Sequence, residues 1–141
     1  MKIKNHLLTG EGVDFVKSPN HDGRFGENLP DTVIIHYTAG SSRESSVKTL
    51  CNPQHKASAH LVIGRDGLVT QLVPFNVIAY HAGPSAYGGR KGFNKYSIGI
   101  EIDNAGRLSR TGDGFISWFQ KVYPAGEVIE AVHRNEKKPS F

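Results

Sequence analysis

Three histidines and one glutamate occupy places where a folded chain normally puts apolar residues. His36 ends the run "TVIIHYTAG" (Thr32 to Gly40), His60 sits in "SAHLV", His81 in "AYHAG", and Glu101 in "SIGIEID". A neutral imidazole at a strand end is a good zinc ligand, and a nearby carboxylate can take a proton from a zinc-activated water. A glutamate between isoleucines is costly to bury as an ion unless something pairs with it. Taken singly, each also fits an ordinary role: a hydrogen-bonded core histidine, or a strand glutamate facing solvent.

Positioning these groups requires a sheet. Val33, Ile34 and Ile35 are consecutive and β-branched, which predicts a central strand buried on both faces and ending at His36. Glu44 to Cys51 places Val47, Leu50 and Cys51 at helical spacing, stopped before Pro53. Ser58 to Pro74 reads as two strands around "GRDG", because Asp66-Gly67 supplies the positive φ of a hairpin turn. The segment "NVIAYHAG" reads as another strand, and a Gly-rich loop then leads into Ser97 to Asp103, where Ile98, Ile100 and Ile102 alternate with Gly99 and Glu101. Residues 1–30, rich in Gly, Asn, Pro and Asp, read as an irregular N-terminal arm. The expected fold is α/β: a mixed central sheet flanked by helices, with more strand than helix.

The 141 residues suit one domain. No apolar run reaches the roughly 20 residues needed to cross a bilayer, so membrane insertion is not expected. The N-terminus meets Gly10, Glu11 and Asp14 before an apolar region forms, unlike a Sec signal peptide. One cysteine, Cys51, excludes an internal disulfide and fits a reducing compartment. The net charge of +4 comes from scattered basic residues without a nucleic-acid-binding signature, so no nucleic-acid partner is expected.

Together, "VIIHYTAG", "SAHLVIGRDGLVTQLVPF" and "AYHAGPSAYGGRKGFNKYSIGIEIDNAG" resemble the zinc-dependent N-acetylmuramoyl-L-alanine amidases. That family includes phage amidase-type lysozymes, anhydromuropeptide amidases of wall recycling and animal peptidoglycan recognition proteins; the recycling branch is the most similar. The resemblance implies that His36 is the first zinc ligand and Glu101 the general base. It further implies that Tyr80 and His81 line the substrate groove, with Arg65, Asn94 and Tyr37 near the muropeptide, and that His60 is structural. Zinc would be the cofactor, and peptidoglycan or a muropeptide the partner. Glu101 would accept the proton of a zinc-activated water and return it to the amine of L-alanine.

The chain departs from the family beyond Glu101. Relatives supply a second histidine and then an aspartate or cysteine; here His133, in "HRNEKKPSF", is the one histidine available as a further metal ligand. Residues 31–141 are therefore expected to be the N-terminal portion of a single amidase domain whose C-terminal part is missing. A non-catalytic muropeptide-binding module is the alternative reading. A cytoplasmic location, or release to the wall without a Sec signal, is expected, and the oligomeric state stays open.

Overall fold

The computed structural model describes residues 1–132, Ser140 and Phe141. Its strands, in chain order, begin with β1 (Lys2–Lys4), β2 (Leu7–Thr9), β3 (Val13–Phe15), β4 (His21–Arg24) and β5 (Thr32–Tyr37). Helix α1 (Arg43–Leu50) follows, then β6 (Leu61–Ile63), β7 (Val69–Gln71), β8 (Val77–Ala79), β9 (Ala86–Tyr87), β10 (Arg90–Lys91) and β11 (Ser97–Ile102). The last three strands are β12 (Ser109–Thr111), β13 (Gly114–Ile116) and β14 (Val122–Pro124). The main sheet is mixed and runs β3-β7-β6-β11-β5. In it β11 is parallel to both β5 and β6, while β6 and β7 form the antiparallel hairpin expected around Asp66-Gly67. Gly67 has φ +80° and donates its N–H to the Gly64 carbonyl, which is why that turn needs a glycine.

Register defines the two faces of this sheet, because side chains alternate along each strand. On one face Thr70, Val62, Glu101 and His36 form a row across four strands. Helix α1 lies on this side: its Ser42 side chain caps the first turn by accepting from the Ser45 N–H, and Arg43 reaches the Thr70 hydroxyl at 2.9 Å. The stripe Val47, Leu50 and Cys51 packs against a core of Val62, Leu72, Val73 and Ala79. The opposite face carries the row Gln71, Leu61, Ile100 and Ile35. There Gln71 is fully buried and ties down the N-terminal hairpin, accepting from the Leu8 N–H and donating to the His6 carbonyl.

Two expectations are corrected. Strand β5 is an edge strand among the described residues rather than a central one, and its burial alternates: Val33 and Ile35 are 58% and 57% exposed. A run of β-branched residues predicts cover on both sides, but the N-terminal hairpin covers only the Gln71 end of the far face. Residues 1–30 are also not irregular throughout. They contribute four short strands, and the buried Ser18 and Asn20 anchor them, with the Asn20 amide donating to the Leu50, Asn52 and Ala57 carbonyls. A three-stranded antiparallel sheet, β12-β13-β14, occupies the stretch after Asp103. Among the described residues no helix is long and apolar enough to cross a membrane.

Candidate functional site

His36 and Glu101 are register partners near the carboxyl ends of two adjacent parallel strands, whose backbones run about 4.8 Å apart. Ligands of open α/β sheets collect at such carboxyl ends. The third group arrives from outside the sheet. Gly99, two residues before Glu101 on the same face, has no side chain, and the His81 ring fills that space: a Cβ at position 99 would clash with its Cγ, Nδ1 and Cδ2. Asn94 fixes the approach of the His81 segment, its Oδ1 accepting the His81 and Ala82 N–H groups at 3.0 and 2.7 Å.

The hydrogen bonds determine which nitrogens carry protons. The Ser97 carbonyl can only accept, so His81 donates its Nε2–H to it at 3.2 Å, and the Ser97 hydroxyl lies at the same distance. The Ser97 hydroxyl in turn donates to the Phe93 carbonyl. The Nδ1 of His81 is then an acceptor, and the Nε2–H of His36 donates to it at 3.0 Å. His36 keeps its Nδ1 lone pair. Burial lowers the pKa of His36 and pushes that of His81 down to about 4, so both imidazoles are neutral at pH 7. Burial acts oppositely on Glu101: it raises the carboxyl pKa, and the Oε2 atom is buried without a hydrogen-bond partner.

His60 lies fully buried beside this group and points elsewhere. Its Nδ1 accepts the Gly99 N–H at 3.0 Å and its Nε2–H donates to the Val77 carbonyl at 2.9 Å, between the rings of Phe25 and Phe75. It is a structural residue in this fold. Tyr80, His81 and Asn94 border one open cleft of about 530 Å³ together with Lys56, Ala57 and Gly83. Arg65 stands further out, its Nε 3.5 Å from Asp103, which shares the Glu101 face. Tyr37 is not brought to the cleft: it follows His36 directly, so the alternation of the strand turns it to the opposite face. His133 lies outside the described residues. A groove of similar size, about 490 Å³, between β3 and α1 holds none of the expected site residues.

Ser97 is absent from the sequence-derived site. A carbonyl that orients a histidine leaves no signature in residue type. Among the described residues no group of three His, Cys, Asp or Glu side chains stands ready to hold a metal ion. Metal donors are nevertheless present in type: a neutral imidazole whose other nitrogen is hydrogen-bonded, as in metal-ligating histidines, beside an unpartnered carboxyl oxygen.

Residues 26–134 match the family model described as N-acetylmuramoyl-L-alanine amidase. The chain is 32% identical to the 1,6-anhydro-N-acetylmuramyl-L-alanine amidase AmpD of Escherichia coli K12, over 71% of this chain and 64% of that protein. It is 41% identical to AmpD of Haemophilus influenzae, over 72% of this chain and 65% of that protein. The chain thus spans less than two thirds of the length of these relatives. Among solved structures, a selenomethionine derivative of AmpD superposes with TM-score 0.61 at 30% identity, covering 74% of this chain and 66% of that one. AmiD from E. coli, in complex with anhydro-N-acetylmuramic acid-L-Ala-D-γ-Glu-L-Lys, superposes with TM-score 0.51 at 33% identity, covering 67% of this chain and 39% of that one.

Proposed function

The chain belongs to the N-acetylmuramoyl-L-alanine amidase family, and on that footing we propose that it cleaves the amide between N-acetylmuramic acid and L-alanine of muropeptides, with Glu101 as general base and His36 as a zinc ligand. The single observation that carries this reading is the half-buried Glu101 carboxyl, one oxygen unpartnered, next to the neutral His36–His81 pair. Burial brings its pKa up toward the working range of a base that must both take and return a proton.

In this mechanism Glu101 removes a proton from water as the water oxygen adds to the lactyl carbonyl carbon. The carbon–nitrogen bond breaks, the lactyl group leaves as a carboxylic acid, and Glu101 hands the proton to the amine of L-alanine. His81 holds His36 in the tautomer that presents Nδ1, and Ser97 holds His81. Zinc would be held through His36, with His133, which lies outside the described residues, as the candidate further ligand, and would supply Lewis acidity to the carbonyl and acidify water. Tyr80, Asn94 and His81 border the cleft that would receive the muropeptide, while Arg65 stands further out beside Asp103. The non-catalytic binding module remains the second reading, favoured by the lack of a three-residue metal cluster among the described residues.

Paired variants test the assignment. His36→Ala is expected to lose both zinc and hydrolysis. Glu101→Gln is expected to keep zinc, muropeptide binding and fold while turnover falls by about 10²-fold or more. Undiminished turnover in Glu101→Gln would remove Glu101 from the chemistry, and zinc retained in His36→Ala would remove that ligand.

A further inference from the structure

The β12-β13-β14 sheet is fastened to the site end of the main sheet at two points. Arg65 joins them on one side, placing Nη1 3.3 Å from the Tyr123 hydroxyl and Nε 3.5 Å from Asp103. On the other, at the turn between β13 and β14, Trp118 donates its indole N–H to the Ala39 carbonyl at 2.8 Å. Yet Trp118 remains 70% exposed. Its polar edge is satisfied and held, Phe119 stands perpendicular to it with ring centroids 5.5 Å apart, and most of its surface is open to solvent. A scattered surface tryptophan has no such tether. Holding a large aromatic ring in the open costs hydrophobic free energy, and its use is in recognition, where rigid indole rings give large contact area at little entropic cost.

Its position indicates the ligand. Ala39 follows His36 by three residues, which limits the distance between their Cα atoms to about 10 Å. Trp118 is therefore anchored on the loop that leaves the carboxyl end of β5 just after His36, the end at which Glu101 also lies. The pyranose rings of N-acetylhexosamines present flat C–H faces that stack on an indole, whereas a D,L-peptide stem presents charged and amide groups. We propose that Trp118 is a saccharide platform that stacks on a sugar ring of the glycan side of the substrate, fixing which end of the muropeptide lies toward β12-β13-β14. This rests on the muropeptide reading of the site, and its test is separable from that reading.

Trp118 is the one tryptophan of the chain, so tryptophan emission reports this residue alone. The protein is titrated with three probes: a disaccharide muropeptide, the same GlcNAc–MurNAc disaccharide without peptide, and the free stem peptide. Backbone amide shifts at His81 and Asn94 are followed in parallel. A saturable emission change with both sugar-bearing probes and none with the stem peptide is the expected result. In Trp118→Leu, apparent affinity for the disaccharide muropeptide, read from the amide shifts, should fall about tenfold. Amide shifts at His81 and Asn94 with no emission change from either sugar would overturn the platform and leave the muropeptide site standing. Emission that answers the stem peptide alone would overturn it too. A sugar-dependent emission change without any hydrolysis would support the platform and count against the amidase reading.

Discussion

His60 and Glu101 show how the same burial gives opposite consequences for opposite charges. His60 holds two backbone groups at once, accepting at Nδ1 and donating at Nε2, so an added proton at Nδ1 would face the Gly99 N–H. Burial puts its pKa at about 4, below the usual value of 6.5. Between those values the unfolded chain binds more protons, so stability is full above about pH 6.5 and declines as pH falls toward 4, by about 3 kcal/mol from this residue. Urea midpoints at pH 7.5 and 4.5 should differ accordingly and should differ less in His60→Gln; equal pH sensitivity in the two proteins would contradict the assignment. The exceptions to local pattern marked His36 and Glu101 in the sequence, because a polar group in a β-branched or isoleucine-rich run is conspicuous. Nothing in residue type marked Ser97, which acts on His81 through its carbonyl, and the strand alternation that turns Tyr37 to the face opposite His36 shows only once the strand is formed.

Strand β11 does more positioning than any other element. It pairs with β5 and β6, carries Glu101, and leaves at Gly99 the space that the His81 ring fills. Gly99→Ala should therefore destabilise the fold by about 1–3 kcal/mol through overpacking and push His81 away from His36. Thermal melting reads the first effect and imidazole nitrogen shifts of His36 the second; an unaltered His36 tautomer would show that His81 does not set it. The hairpin around Asp66-Gly67 and the stripe on α1 were legible in the sequence because turn chemistry and helical spacing are local. The edge position of β5 was not, because it depends on pairing with β11, whose residues lie 65 positions on in the sequence. The sheet β12-β13-β14 was missed because its strands are only three residues long, and β12, "SRT", has no apolar alternation.

For the whole molecule, the two faces of the main sheet differ sharply in cover. Among the described residues, the far side of β5 and β11 presents Val33, Ile35, Tyr37 and Ile102 to solvent at an edge with no further strand, a combination that favours association between chains. The weight-average mass of the 141-residue protein from light scattering should rise with concentration, and Ile35→Lys should reduce that rise; a rise independent of that substitution would place the sticky surface elsewhere. The other face carries His36 and Glu101 as register partners, with the His81 ring hydrogen-bonded to His36, and these are the groups on which the amidase reading rests. The most direct test of the amidase reading is mass spectrometry of a muropeptide incubated with the zinc-supplied protein in heavy-oxygen water. The expected products are a free stem peptide beginning at L-alanine and a muramic acid whose lactyl carboxyl carries the heavy oxygen. A muropeptide that binds the cleft and is recovered intact would contradict hydrolysis and leave a binding module.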